Sequence, residues 1–250
     1  MPLQEAKKTT PLNIILIGYG KMGKEIEPVA RERGHQILLA IDVHNSNLLT
    51  EATLQKADVA IEFTGPDTAV ANLQTCIRAK TPVVCGSTGW LSHWDEVEKA
   101  CKQAGSALLY ASNFSVGVNI FFELNKKLAQ LMSHYPNYDV KIEETHHTQK
   151  KDSPSGTAIT LASQIIENNP SKKSWTNNQP SEKDQLQIIS KRIDPAPGIH
   201  SISYSSSIDD ITIIHNAHNR HGFALGAVLA AEFIAGKKGI FNMQDVLGIK

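Results

Sequence analysis

The sequence predicts an α/β protein in two unlike parts, and three observations predict it. Through the first part, short apolar runs alternate with helical stretches of about a dozen residues, the pattern of βαβ units around a parallel sheet. A glycine-rich turn, Gly18-Tyr19-Gly20-Lys21-Met22-Gly23, joins the first such run to the first helix. From Val116 onward a long helix is followed by runs that alternate apolar and polar side chains, as strands with one wet face do.

Asn13-Ile-Ile-Leu-Ile-Gly18 is a continuous apolar run, suited to a strand buried on both faces. The helix after the glycine turn runs to about Arg33, and a second strand, Gln36 to Asp42, ends on an acidic residue. Strands at Asp58–Thr64, Pro82–Cys85 and Ala107–Ala111 follow, with helices at Asp67–Lys80 and Ser92–Gln103 between them. Ser92, with Asp95 three residues on, fits a helix N-cap with an acidic partner.

A lone GxGxxG is weak evidence. This one follows a strand, opens a helix, and has Asp42 nineteen residues past Gly23 at the end of the next strand. That context is the fingerprint of a Rossmann-type dinucleotide-binding domain. Gly18 permits the tight turn, Gly20 lets the backbone approach a pyrophosphate, and Gly23 lets helix and strand pack closely. Asp42 can accept hydrogen bonds from ribose hydroxyls. The loops Gly86-Ser87-Thr88-Gly89 and Ala111-Ser112-Asn113-Phe114 leave the carboxyl ends of later strands, the edge where open α/β sheets bind ligands. There Asn113 can hydrogen-bond an amide and Phe114 can wall one side of a nicotinamide ring. The plain alternative for Phe114 is a core aromatic.

In the second part, a long amphipathic helix is predicted from about Val116 to His134. Tyr138 to Glu144 alternates, with Val140 and Ile142 on one face and Lys141 and Glu143 on the other. A helix from Ser155 to about Glu167 comes next. Asn168 to Asp184 is polar, holds two prolines and has no period, so it reads as an exposed loop. Gln185–Ile193, His200–Ser206 and Asp210–His215 alternate again, which predicts a mostly antiparallel sheet in an α+β unit. Gly222–Lys237 and Met243–Leu247 close the chain as helices.

Composition excludes several classes of function. Lysine plus arginine and aspartate plus glutamate balance at 25 each over 250 residues, so no global field points to nucleic acid or to a membrane surface. Cys76, Cys85 and Cys101 form no CxxC pair and no zinc spacing, and are expected to be buried free thiols. The N-terminal dozen has no apolar core and is not a signal peptide, and no stretch approaches the length of a membrane-spanning helix. A cytoplasmic enzyme with no resident metal is the expectation.

The densest chemistry lies in Glu144-Thr-His146-His147-Thr-Gln-Lys150-Lys-Asp-Ser-Pro154-Ser155-Gly156-Thr157. Histidine exchanges protons near neutrality, and a lysine supplies a fixed positive charge or a proton. The helix that starts here turns unpaired backbone N–H groups outward, a place for a carboxylate. The segment therefore reads as one that holds a small anion and hands it a proton. Taken alone it could equally be a polar loop with two solvated histidines.

Together these stretches resemble the 4-hydroxy-tetrahydrodipicolinate reductase (dihydrodipicolinate reductase) family of the diaminopimelate/lysine pathway. The resemblance rests on Gly18–Gly23, Ile61-Glu-Phe-Thr64, Gly86–Gly89, Ala111–Asn119, Glu144–Ala158 and Gly239–Leu247, and covers nearly the whole chain. It implies reduction of 4-hydroxy-tetrahydrodipicolinate by NADH or NADPH. It implies His146 and Lys150 as the catalytic groups, with His147, Gly156 and Thr157 touching substrate. The cofactor would touch Gly18, Tyr19, Gly20, Lys21, Met22, Gly23, Asp42, Gly86, Ser87, Thr88, Ala111, Ser112, Asn113 and Phe114. It also implies a homotetramer, and a chain that returns to its first domain near Arg220. The expected division is residues 1–115 with 219–250 for the dinucleotide-binding domain and 116–218 for the substrate-binding and oligomerisation domain.

Two departures bear on these expectations. The chain is shorter than many relatives around residues 168–190, and Val43 follows Asp42 where some relatives carry an arginine suited to a 2′-phosphate. Asp42 without that arginine leans the cofactor choice toward NADH, with Lys21 as the nearby cation for NADPH. Two rivals remain on the sequence: another nicotinamide oxidoreductase of the same plan, and a nucleotide sensor without catalysis. An aldehyde-type enzyme would need a reactive cysteine in an acid/base setting, and a sensor has no use for a proton donor.

Overall fold

The computed structural model describes residues 10–179 and 182–249, so most of the polar N-terminal stretch read above lies outside the described residues. In chain order the first elements are β1 (Asn13–Ile17), α1 (Lys21–Glu32), β2 (Gln36–Ile41), a 3-10 turn (Ser46–Leu48), α2 (Glu51–Leu54) and β3 (Val59–Glu62). Next come α3 (Pro66–Arg78), β4 (Val83–Cys85), a second 3-10 turn (Leu91–His93), α4 (Trp94–Ala104), β5 (Ala107–Tyr110) and α5 (Val116–Met132). Then follow β6 (Asp139–His146), α6 (Gly156–Asn168), β7 (Ser174–Thr176), β8 (Gln185–Arg192) and β9 (Gly198–Ser205). The chain ends with β10 (Asp210–Ala217), α7 (His221–Ile234), β11 (Gly239–Phe241) and α8 (Met243–Leu247). Two compact units result, one running to Val116 and resuming at His221, the other spanning Gly117–Arg220.

The first unit is a six-stranded parallel sheet in the order β11-β5-β4-β3-β1-β2. Successive residues of β1 serve opposite faces. Ile14 and Leu16 join the core under α1 and α7, while Ile15 and Ile17 join the core under α3 and α4. Two-sided burial is why the run is continuously apolar rather than alternating. Strand order reverses between β1 and β3, and the crevice beyond their carboxyl ends is where this sheet class takes ligands. All three cysteines are free and buried.

One sequence expectation changes here, and one element is added. Ser92 does not cap α4, which starts at Trp94 after a 3-10 turn, with His93 in the cap position and no side-chain cap bond. The acidic first turn, Asp95 and Glu96, still suits the helix dipole. The segment before α8 is a strand, β11, which pairs in parallel with β5. At three residues it is too short to show a period.

The second unit is a five-stranded sheet in the order β10-β9-β6-β8-β7. The pairs β10/β9 and β9/β6 are antiparallel, but β6/β8 and β8/β7 are parallel, so the sheet is mixed rather than mostly antiparallel. Helices α5 and α6 cover one face, packing Phe121, Ala129, Leu161 and Ile165 on Ile142, Ile188, Ile202 and Tyr204. Each leucine or isoleucine so buried contributes about 1.5–3 kcal/mol.

The polar stretch 168–184 is not simply a loop. Lys172 is buried, and its ammonium donates to Asp139 (2.8 Å) and to the carbonyls of Lys183 (2.7 Å) and Gln185 (3.1 Å). That anchor holds Ser174–Thr176 against β8 as an edge strand. A lysine whose three donors are all satisfied can be buried, and nothing in the local polarity signals it.

Candidate active site

In the first unit, a cleft of about 620 Å³ opens beyond β1, β2 and β3. Gly18, Tyr19, Gly20 and Asp42 of the expected cofactor residues line it, together with His44, Phe63, Thr64, Thr68 and Asn72. Gly18 sits at φ +95°, and a Cβ there would fall 2.0 Å from the Phe63 carbonyl oxygen, so only glycine fits. A Cβ on Gly23 would meet the Gly18 carbonyl oxygen at 2.4 Å. At Gly20, by contrast, there is open space within 4 Å, the room a pyrophosphate needs beside the backbone.

Asp42 is half-buried, and one of its carboxylate oxygens accepts the His44 backbone N–H at 2.8 Å. Lys21, Met22 and Gly23 lie in the first turn of α1 rather than on the cleft lining; Lys21 is exposed and Met22 packs on the core.

The two later loops support the cleft rather than line it. Ser87 is buried and accepts the Thr64 N–H at 2.8 Å, while its carbonyl accepts from the Trp90 indole at 2.8 Å. Gly86 lies so close to Phe63 that a Cβ would meet the ring at 2.1 Å. Thr88 and Ser112 are exposed, Ala111 is half-buried, and the Asn113 side-chain carbonyl accepts the Ser115 N–H at 2.9 Å. Phe114 lies in the core of the first unit. The residue is 2 % exposed and its ring packs on Phe63 with centroids 5.5 Å apart, so it is core, while Phe63, like Tyr19, lines the cleft.

Beneath Thr64 lies Glu62, fully buried, which accepts from the Thr64 N–H and hydroxyl and from Asn72. The Cys85 thiol donates to its second oxygen at 3.3 Å, and burial first and Glu62 second push that thiol far up. None of the three cysteines is poised as a nucleophile, which removes the aldehyde-type alternative.

In the second unit, β6 runs two residues further than its sequence pattern suggested, to His146. Continued alternation places Glu144 and His146 on the buried face with Val140 and Ile142. Register then sets Ser190 of β8 and His200 of β9 on either side of Glu144, and Arg192 beside His146.

The Glu144 carboxylate is fully buried. One oxygen accepts from the Ser190 hydroxyl (2.7 Å), the Ser155 N–H (3.0 Å) and Arg192 (3.3 Å). The other faces Nδ1 of His146 at 3.2 Å. Burial alone would raise this carboxyl, but hydrogen bonds from His146, Ser155 and Ser190 hold it well below the usual carboxylate range. His200 packs edge-on against His146, centroids 5.0 Å apart, and meets the Ser155 hydroxyl at 3.2 Å. Burial, and then the neighbouring His146, lower His200 to about 4, so it is neutral at pH 7.

Ser155 is the N-cap of α6, its hydroxyl accepting from Ala158 N–H at 3.2 Å. Gly156 and Thr157 form the first turn, where N–H groups point out of the helix, and the space around Gly156 is open. Lys150, on the turn between β6 and α6, makes a backbone bond to the His147 carbonyl (3.1 Å) and an ion pair with Asp152 (2.9 Å). Asp152 is largely exposed, so the pair is weak and a better anion can displace it. His147 follows the end of β6, half-buried, and stands apart from the buried cluster.

Sequence spacing missed Ser190, Arg192, Gly198 and His200, because cross-strand register alone gathers them. For Glu144 a signal existed, since extending the period-two pattern to His146 puts both on one face. Glu144, His146 and His200 present a carboxylate and two imidazoles within 4.8 Å of one another, a donor set of the kind that can hold zinc. Here Arg192 and two hydrogen-bond donors already occupy one carboxylate oxygen, and the guanidinium opposes a second cation. The Arg192 charge weighs against a cation at this cluster.

Residues 12–114 match the family described as "Dihydrodipicolinate reductase, N-terminus", and residues 117–247 match "Dihydrodipicolinate reductase, C-terminus". A protein named 4-hydroxy-tetrahydrodipicolinate reductase from Christiangramia forsetii is 50% identical over 238 residues, covering 94% of this chain and 98% of that one. One of the same name from Methanoregula boonei is 31% identical over 252 residues, covering 95% and 98%. Among solved structures, a dipicolinate-bound dihydrodipicolinate reductase from Paenisporosarcina shares the fold with TM-score 0.74 at 22% identity, covering 94% of this chain and 99% of that one. An amine dehydrogenase from Mycobacterium smegmatis is a more distant likeness, at TM-score 0.60 and 11% identity over 94% and 96% of the two chains.

Proposed function

The chain belongs to the dihydrodipicolinate reductase family, and from that premise we propose that His146 supplies the proton, and Lys150 the positive charge, for reduction of 4-hydroxy-tetrahydrodipicolinate to tetrahydrodipicolinate. Overall the reaction takes up one hydride and one proton and releases water. A nicotinamide cofactor, held at Gly18, Gly20 and Asp42, supplies the hydride when bound.

The observation that carries the reading is the grouping of His146, Lys150 and the α6 N-terminus in one unit. The substrate is a dicarboxylate. Lys150 holds one carboxylate in place of Asp152, and the N–H groups at Gly156 and Thr157 hold the same group from the helix side. His147 completes the anion site. The buried ring of His146 exchanges the proton. Other nicotinamide oxidoreductases of this plan share the cleft but do not account for this anion-and-proton site.

We further propose that NADH is preferred over NADPH, because Asp42 faces the cleft and Val43, 85% exposed, offers no charge. We propose a homotetramer as well. Among the described residues no helix covers the face of the second sheet opposite α5 and α6, and Ile214 on β10 is 64% exposed. Sedimentation would show a four-chain particle, and a monomer at micromolar concentration would refute the assembly. Among the described residues no helix is long and apolar enough to cross a membrane, and action in the cytoplasm is our reading.

The test of function is oxidation of NADH in the presence of freshly generated 4-hydroxy-tetrahydrodipicolinate. Pyridine-2,6-dicarboxylate should compete with substrate and not with NADH. Absence of turnover would reject the reaction, and inhibition competitive with NADH alone would reject the anion site at α6.

A further inference from the structure

The proton-exchanging histidine has two ring nitrogens, and its surroundings treat them differently. Nδ1 is buried, and so is the Glu144 oxygen 3.2 Å from it; neither makes a well-aligned hydrogen bond to any described residue. Each is therefore the partner available to the other. An unpaired buried carboxylate oxygen is costly, so a proton on Nδ1 is the arrangement that satisfies both atoms. Nε2 lies on the other side, beside Gly198, where the lack of a side chain leaves space.

Glu144 is itself fixed from β8 and from the start of α6. Ser190 and Arg192 of β8 and the Ser155 N–H hold its first oxygen, so the carboxylate cannot swing away from the imidazole. Arg192 is tied in turn to the Asp152 carbonyl at 2.5 Å. Neutral His200 of β9 packs against the ring and blocks rotation. The charged and titratable groups around His146 are thus Glu144 on β6, Arg192 on β8 and His200 on β9. Lys150 and Asp152 follow on the turn, and His215 acts on the cluster electrostatically through His200.

We propose that Glu144 is the positioning residue that keeps a proton on Nδ1 of His146 and so makes Nε2 the atom that exchanges protons with substrate. This inference rests on the assignment of His146 as proton donor. In the forward step the Nε2–H bond breaks as the proton passes to the reduced substrate ring. The imidazole left behind is neutral, with its remaining proton on Nδ1 facing Glu144. The same carboxylate is the counter-charge of the protonated ring before transfer. Glu144 touches neither substrate nor cofactor in this scheme; it acts through the imidazole.

The experiment has two arms. Histidine ¹⁵N spectra of the wild-type protein at alkaline pH, with the His146 signals identified by their loss in His146→Gln, should show the neutral ring protonated at Nδ1. In the second arm, Glu144→Gln should bind NADH as wild type does but lose kcat by about 10²-fold or more. The alkaline limb of its kcat profile should move to lower pH, because an opposite charge has been removed. A neutral ring protonated at Nε2, or a folded Glu144→Gln with wild-type kcat and an unmoved alkaline limb, would overturn the proposal. Should Glu144→Gln fail to fold, the wild-type tautomer decides. Failure of the underlying assignment would look different: a wild type without turnover, or a His146→Gln variant that keeps it.

Discussion

Gly198 stands where any side chain would press on His146. A Cβ at that position would lie 3.2 Å from Nε2 and 3.4 Å from Cδ2 of the ring. Its backbone is not in the left-handed region, so the requirement is for space and not for conformation. Gly198→Ala should therefore fold, with stability changed by no more than about 1 kcal/mol, while kcat falls roughly tenfold or more, because ~1.4 kcal/mol of misplacement costs that much. Measured kcat equal to wild type would mean that the Nε2 side of the ring is not where the proton is exchanged.

Ser155 links stability to the site. Its hydroxyl caps α6 and meets His200, and its N–H donates to Glu144. Ser155→Ala keeps the last bond and removes the first two, which should cost about 0.5–2 kcal/mol in denaturant unfolding. KM for substrate should rise, since the cap orders the turn proposed to hold the carboxylate. A variant with unchanged midpoint and unchanged KM would show that the cap matters to neither.

Acid should destabilise the fold before ordinary carboxylates titrate. His200 is lowered from 6.5 to about 4, so as pH falls the unfolded chain takes up a proton that the folded chain refuses. Stability is therefore greatest above pH 6.5 and drops between there and about 4, by roughly 3 kcal/mol at most at ~1.4 kcal/mol per unit. Glu144 adds to this only at lower pH. Its folded value is depressed below 4.5, so its contribution is present above that and fades as pH falls further. Unfolding free energies at pH 7 and 4.5 measure the His200 part, and His200→Gln should flatten the difference, leaving the smaller slope from His215, which burial also lowers. An equal slope in the variant would contradict the assignment to His200.

Cofactor preference turns on Asp42. Its carboxylate can accept from the ribose hydroxyls of NADH and repels a 2′-phosphate. Like charges a few ångströms apart near a surface cost about 1–4 kcal/mol, so KM should favour NADH by roughly tenfold or more. Lys21, exposed at the start of α1, offsets part of that, and Lys21→Ala should raise KM for NADPH while sparing NADH. A wild type that prefers NADPH would overturn the Asp42 argument, and an unchanged NADPH KM in the variant would dismiss Lys21.

The parts of the fold legible in the sequence are those set by local constraint. Gly18 has to be glycine because of its φ and the Phe63 carbonyl beneath it, and the strand–turn–helix around it follows. The two-sided burial of β1 shows directly as Ile-Ile-Leu-Ile. β7 and β11, three residues each, depend on neighbours: Lys172 pins one, and β5 pairs with the other. The site divides in the same way. His146, Lys150 and the α6 cap are contiguous and readable. The pairing of Glu144 with His200 and Ser190 exists only once β8 and β9 take their register. Phe114 was ambiguous on its loop, because a buried ring and a ligand-facing ring need the same residue type.

The account stands or falls on His146. The most direct measurement is steady-state NADH oxidation with 4-hydroxy-tetrahydrodipicolinate by His146→Gln beside wild type, with NADH affinity measured separately. Loss of a general acid costs about 10²–10⁴ in rate, so kcat should fall by that factor while the Kd for NADH, whose site is built from the other unit, stays within about twofold. Turnover near that of wild type in a properly folded His146→Gln would contradict the account.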